Sequence, residues 1–202
     1  MIDQRRIGMK VELIDCSHNA LGNIVLAARG CFGNNKKKNP TYEDDVNLVR
    51  ALIKQDHSPI EFAWAMFRVS GISRACCDQL TRYRLASFAV QSQRYTNISD
   101  NEFIHPVKVL ELAGDSVMAM TAYQTSLYQA LIDRGIAKED ARFYLGIGFS
   151  TDLCFACNFR ELRHILKQRL DKHAQWEIRK LAKEIYNICA DRWPWLVESL
   201  ED

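Results

Sequence analysis

Gln79-Leu80-Thr81-Arg82-Tyr83-Arg84-Leu85-Ala86-Ser87-Phe88-Ala89-Val90-Gln91-Ser92-Gln93-Arg94-Tyr95 is the stretch on which the reading of this chain turns. Arg82, Arg84 and Arg94 stand among Gln79, Ser87, Gln91, Ser92 and Gln93, and Asp78 is the only acid between Glu61 and Asp100. Guanidinium groups offer fixed forks of donors that match phosphate oxygens two at a time. The hydroxyls and amides beside them add the neutral donors and acceptors that a nucleotide needs. Runs of charge are most often solvated faces. Here, however, Leu80, Leu85, Phe88 and Val90 are threaded between the arginines, which predicts that part of the stretch is buried and that its arginines start inside the protein. Arginines near a core, Arg74 included, need an anion. With no acid close by in the chain, an anionic ligand is the economical partner.

The surrounding composition bounds the answer. The chain has 202 residues, 48% hydrophobic and 26% charged, with a net charge of +2. That length suits one large domain with a real core. So small a net charge argues against a general nucleic-acid or membrane surface, so any positive patch must be local. No run approaches the roughly 18 apolar residues of a membrane span. The opening Met1-Ile2-Asp3-Gln4-Arg5-Arg6 lacks the apolar core of a signal peptide, so a cytoplasmic location is expected. Seven cysteines, an odd number, read as reduced thiols packed as small apolar residues. Cys154-Phe155-Ala156-Cys157 has redox spacing but apolar flanks at the head of a predicted long helix, and it lacks the second pair that zinc requires. No metal site is expected.

Local patterning predicts strands at 9–16, 62–69 (buried on both faces) and 103–107. Helices are expected over 20–32, ending near Gly30, and over 43–55, 72–88, 108–134 (closed by Gly135), 137–143 and 156–190. A solvated lysine loop occupies 33–40, and a polar excursion runs through 94–101. No repeat or linker interrupts the chain, so it reads as a single α+β domain over residues 1–202, an antiparallel or mixed sheet flanked by long helices. If the last helix is unbroken, 3.6 residues per turn puts Asn158, Leu162, Ile165, Arg169, His173 and Trp176 on one stripe. An amide, a guanidinium and an imidazole on the apolar face point to a site. Arg142, near the start of the preceding helix, is a further candidate for anion binding at a helix N-terminus.

Arg82-Tyr83-Arg84, seven residues, then Ser92 followed by Gln93-Arg94-Tyr95, resembles the signature of flavin-dependent thymidylate synthases, usually written as Arg-His-Arg, seven residues, Ser. Further segments resemble that family in the right order: Gly71-Ile-Ser-Arg74, Gly135 through Arg142, Asn158-x-Arg160-x-Leu162-x-His164, and Arg169-x-x-x-His173-Ala-Gln-Trp-Glu-Ile178. A weaker one is Ala27-Ala-Arg29-x-Cys31. The likeness spans residues 25 to 180.

The resemblance implies the family's fold and a homotetramer whose sites are shared between subunits. It also implies reductive methylation of dUMP to dTMP, with methylenetetrahydrofolate giving the carbon, FAD the hydride, and NADPH or NADH recharging the flavin. No protein cysteine is the nucleophile. By position, Gln79, Arg82, Val90, Gln91, Ser92, Gln93, Arg94, Arg142 and Arg169 would hold dUMP, Arg142 from a neighbouring subunit. Ser58, Arg82, Tyr83, Arg84, Val90, Asn158, Arg160, His164 and His173 would meet FAD. Arg169 would be catalytic, its fixed charge stabilising negative charge that develops on the pyrimidine.

Three positions depart from the family pattern, all on the flavin or carbon-transfer side. Tyr83 replaces the signature histidine, Asp56 stands where a histidine is usual, and Val90 replaces an acid or amide. They suggest retained pyrimidine nucleotide binding with altered flavin contacts or folate handling. The nearest alternative is another C5 modification such as hydroxymethylation. A non-catalytic nucleic-acid module is a more distant one.

Overall fold

The computed structural model describes residues 8–31, 33, 39–98 and 102–200. The N-terminal hexapeptide, the lysines at 36–38 and the end of the polar excursion at 99–101 lie outside these residues.

Strand β1 (Lys10–Cys16) leads into helix α1 (Ala20–Cys31), as the alternation and the following apolar run predict. Helix α2 (Tyr42–Lys54) begins at a reciprocal cap. The Asp44 N–H donates to Thr41 Oγ1, and the Thr41 N–H donates to Asp44 Oδ2 at 3.0 Å. Glu43, Asp44 and Asp45 in its first turn complement the helix dipole. A 3₁₀ turn at Ser58–Phe62 separates α2 from β2 (Trp64–Ser73).

Strand β2 is not buried on both faces. Ala65, Phe67 and Val69 are buried, whereas Trp64 and Arg68 are exposed, the period-2 pattern of a half-covered strand. It also runs further than expected. Gly71 takes φ of +68° and donates its N–H to Asp152 Oδ1 at 3.1 Å, so the chain stays in the sheet where a turn into a helix was predicted.

The predicted 72–88 helix is accordingly three pieces. Helix α3 (Arg74–Leu80) is seven residues long, a turn covers 81–85, and β3 spans Ala86–Val90. β-Pairing of the Ala-Ser-Phe-Ala-Val run outweighs its helical spacing, and Leu85 ends 69% exposed rather than buried.

Residues 103–107 form no strand beyond one bridge between Phe103 and Phe149, and helix α4 takes over at Val107–Asp133 with a non-helical Ala113 beside Gly114. Gly135, at φ of +82°, stops the chain after α4 as predicted, donating its N–H to Ile132 O. Helix α5 is one turn, Lys138–Ala141, followed by a 3₁₀ turn at Arg142–Tyr144.

The predicted 156–190 helix is replaced by β4 (Ser150–Asn158), α6 (Phe159–Arg169) and α7 (Trp176–Arg192), with α8 (Pro194–Val197) after it. Alternation of Thr151, Leu153, Phe155 and Cys157 towards the core marks β4. Asn158 caps α6 by accepting from the Glu161 N–H at 2.9 Å. The break before α7 is built from Asp171 Oδ1, which accepts from the His173 N–H at 2.7 Å, and from Gln175 Oε1, which accepts from the Glu177 and Ile178 N–H groups.

The four strands pair in the order β1-β2-β4-β3 in an antiparallel sheet, so the expected α+β class is borne out. The chain folds as two compact units, each assembled from separate stretches. One takes in Val69–Gln79 and Ala89–Leu153, and its core gathers Ile98, Tyr128 and Ala141 with Leu131, Ile132 and Leu145. The other takes in Val11–Arg68, Leu80–Phe88 and Cys154–Asp202. There Phe155 stacks between Phe67 and Phe88 at 5.3 and 5.9 Å, and Phe159 packs on Trp193 at 4.7 Å.

Candidate functional site

In the unit that contains α4, residues 91–96 form a tight polar loop. The Gln91 N–H donates to Asp152 O at 2.8 Å, anchoring the loop to β4. Ser92 O accepts from both the N–H and the hydroxyl of Thr96, and the Arg94 N–H donates to Ser92 Oγ at 3.2 Å. A hydroxyl that accepts in this way keeps its own proton to donate, so Ser92 can still serve an anion.

Arg94 Nε pairs with Glu139 Oε2, and its guanidinium lies 5.5 Å from the Tyr95 ring centroid. Arg142 Nε donates to the Glu139 carbonyl at 3.1 Å. Lys138 Nζ donates to Tyr95 O at 3.1 Å. One turn of helix therefore brings Arg94 and Arg142, 48 positions apart in the chain, onto the same residue.

This corrects two expectations. Arg94 does have a protein acid, supplied across the fold. Arg142 caps the C-terminal end of α5, a single turn, and opens the 3₁₀ turn that follows, so it does not sit at the start of a full helix. Arg74 likewise finds a local neighbour, with Thr151 Oγ1 at 3.5 Å from its Nη1. Gln79 is half-buried and donates from Nε2 to Ala75 O, while Val90 and Gln93 are half-buried.

The other unit carries the rest. Tyr83, only 6% exposed, donates its hydroxyl to Gln168 Oε1 at 2.8 Å. Its ring meets His164 edge-on at 5.7 Å and lies beneath the Arg169 guanidinium at 5.3 Å. Burial pushes the Tyr83 phenol upward, and the nearby Arg169 charge works against that rise. The middle residue of the signature is thus a packing element of this unit that props Arg169, with its hydroxyl already engaged. Arg82 and Arg84, on either side of it, are exposed.

Asp56 and Glu61 grip Arg160. Asp56 takes its Nε and Nη2 in a two-point fork, both at 3.0 Å, and Glu61 takes Nη1 at 2.7 Å. The Arg160 fork holds the Asp56 carboxyl below its ordinary range. Asp56 sits at φ of +52°, the left-handed conformation that ends α2, which a short polar side chain tolerates.

Beside this knot opens a cavity of about 560 Å³, lined among others by Lys54, Asp56, Arg160, Arg163, His164 and Lys167. Several cationic groups against few acids form a donor set that fits a diphosphate, so the residues present suit the phosphate portion of a dinucleotide flavin. Glu61, Gln168, Lys54 and Lys167 carry no motif signal. They became visible only when the fold juxtaposed them.

Other expectations did not come together. The stripe from Asn158 to Trp176 does not exist, because the helix breaks after Arg169. Asn158 is a helix cap, and His173 is an exposed loop residue bonded through Nδ1 to Asp171 at 2.9 Å. Ser58 is exposed at the start of the 3₁₀ turn.

Cys154 and Cys157 lie in β4, where an odd spacing sends them to opposite faces, which denies them a mutual bond or a shared metal. All seven cysteines are thiols outside any disulfide. Cys31 is exposed and Cys16 and Cys154 are half-buried, so only four are the packed apolar residues expected. Burial raises the Cys157 thiol and pushes Cys189 up to about 12, far from a reactive thiolate. Among the described residues no group of three His, Cys, Asp or Glu side chains could hold a metal, and no helix is long and apolar enough to cross a membrane.

Arginine forks steadied by acids, carbonyls and an aromatic ring stand on an α+β scaffold, a donor set whose chemistry suits multiply charged anions. Comparison with known proteins narrows that class. A family model described as thymidylate synthase complementing protein matches residues 12–195. The flavin-dependent thymidylate synthase of Geobacter sulfurreducens is 34% identical over 189 residues, covering 89% of this chain and 82% of its own. That of Pyrococcus abyssi is 38% identical over 196 residues, covering 91% and 80%. The chain belongs to the thymidylate synthase complementing protein family.

Proposed function

We propose that the protein is a flavin-dependent thymidylate synthase that converts dUMP to dTMP. Methylenetetrahydrofolate gives the one-carbon unit, FAD when bound supplies the hydride, and NADPH or NADH restores it. The observation that carries this is the meeting of Arg94 and Arg142 on Glu139, beside the Ser92 hydroxyl. Two cations and a free O–H donor are what a phosphate monoester needs.

Gln79, Arg82, Val90, Gln91 and Gln93 complete the nucleotide set in this proposal. The role proposed for Arg169, steadied by Tyr83, is to stabilise negative charge that develops on the pyrimidine. Arg160, His164, Arg82 and Arg84 hold the flavin diphosphate, with Ser58, Tyr83, Val90, Asn158 and His173 as further contacts. The chain acts as one functional domain in the cytoplasm.

A homotetramer draws support from α4, on which Val109, Leu112, Met118, Met120 and Tyr123 are exposed. Patches of this kind mark association surfaces. Light scattering tests that part.

The main test is reconstitution with FAD, followed by dUMP binding and mass analysis of the product. Growth of dTMP supports the proposal, and absence of dUMP binding overturns it. A hydroxymethylated product would support the second reading, which draws on Asp56 gripping Arg160 on the flavin side. A protein that takes no flavin and binds DNA or RNA with steep salt dependence would be the non-catalytic module instead.

A further inference from the structure

We infer that Glu139 is the positioning residue for the phosphate arginines, an inference that rests on the proposed nucleotide site. A guanidinium has two edges, and the carboxylate of Glu139 meets Arg94 on its Nε side. An ion pair there biases the direction of the fork and turns the Nη1–Nη2 edge towards phosphate oxygens. The backbone of the same residue fixes the second arginine, because its carbonyl accepts from Arg142 Nε.

The neighbouring Lys138 adds a strap from its ammonium to Tyr95 O, so residues 138–142 and the 92–96 loop are tied at two adjacent points, Arg94 and Tyr95. A single residue therefore sets the direction of one arginine with its side chain and of another with its main chain. The pair is half exposed, at 61% for the Arg94 side chain and 41% for Glu139. An exposed pair of this kind adds about 1 kcal/mol or less to stability. Its consequence lies in orientation. An unsteered Arg94 would sample many rotamers and lose that freedom on binding, weakening the complex.

Glu139→Ala and Glu139→Gln in the FAD-reconstituted protein test the inference, since the amide oxygen of Gln can still accept from Nε. We expect Glu139→Ala to weaken dUMP binding about tenfold, the scale of one lost positioning contact, and Glu139→Gln to stay within about threefold of wild type. The kcat at saturating dUMP should be unchanged in both, as should kcat/KM for deoxyuridine, which lacks the phosphate. Thermal melting should move little.

Unchanged or tighter dUMP binding in Glu139→Ala would overturn the inference, the carboxylate then being irrelevant or a competitor. A fall in kcat, or equal losses with dUMP and deoxyuridine, would overturn it too, since the residue would then act on the fold or the chemistry. Wild-type protein that binds no dUMP would overturn the nucleotide reading itself, and this inference with it.

Discussion

Arg94 and Arg169 are both nucleotide residues in the proposed function, yet each unit of this molecule holds its own arginine by different physics. Arg94 is exposed and steered by a carboxylate and by loop hydrogen bonds. Arg169 lies over the ring of a buried tyrosine whose hydroxyl is tied to Gln168. Water and salt screen the first arrangement, whereas the second is embedded in packing and is much less exposed to either. A phosphate site needs arginines that can adapt while a dianion enters. A group meant to stabilise charge arising in a reaction gains from being fixed beforehand. The contrast is one of adaptable capture against fixed placement.

Replacing Arg169 should break that contrast most severely. Arg169→Lys keeps the charge but loses the fork, and we expect kcat to fall on the order of a hundredfold while dUMP binding weakens less. Equal losses in both would mean that Arg169 only binds.

Tyr83 comes next. Tyr83→Ala removes a buried ring and should cost about 3 kcal/mol in chemical denaturation, along with most of the turnover. Tyr83→Phe keeps the ring beneath Arg169 and should cost about 1 kcal/mol while retaining most of kcat. If Phe proves as damaging as Ala, the hydroxyl–Gln168 bond rather than the ring places the arginine.

Asp56 sharpens the comparison on the flavin side. Asp56→Asn should free Arg160 and tighten FAD binding several-fold, roughly 1 kcal/mol, as a neutral partner competes less with a diphosphate. The pH dependence follows from the lowered Asp56 pKa. A depressed carboxyl contributes stability that is fully present above its unfolded value of about 3.9 and is lost as pH falls through the folded value. The wild-type advantage over Asp56→Asn in melting temperature should therefore be flat near neutrality and vanish in strong acid. It should be small throughout, because the side chain is mostly exposed.

The smallest effect is expected at Tyr128 in the other unit. It is fully buried, and among the described residues its hydroxyl has no hydrogen-bond partner. Tyr128→Phe should be neutral or stabilising by up to about 1 kcal/mol in denaturant titrations.

Much of this was legible beforehand. The 43–55 periodicity, the Gly135 stop and the Arg82–Arg94 composition each rest on local chemistry that neighbours in the chain supply. Ala86–Val90 overlaps the end of the predicted 72–88 helix, and most of Ser150–Asn158 carried no predicted element, because only pairing partners in other strands decide for the sheet. The predicted C-terminal helix runs too long because α6 ends at its C-cap Leu170, with no glycine or proline to mark a stop, and α7 restarts on Gln175, an unusual N-cap. Val90 and Asn158 take their surroundings from β3 and the α6 cap respectively, which no motif announces.

The order of residues determined the class of fold, the supply of arginines, and the family to which they belong, since these depend on which side chains are present and at what spacing. Tertiary structure alone decided that Glu139 would steer Arg94, that Tyr83 would lie under Arg169, and that Asp56 would grip Arg160. Each of those contacts joins positions tens of residues apart or on separate elements. Their energies depend on distance and burial, quantities that come into being only when the chain closes on itself.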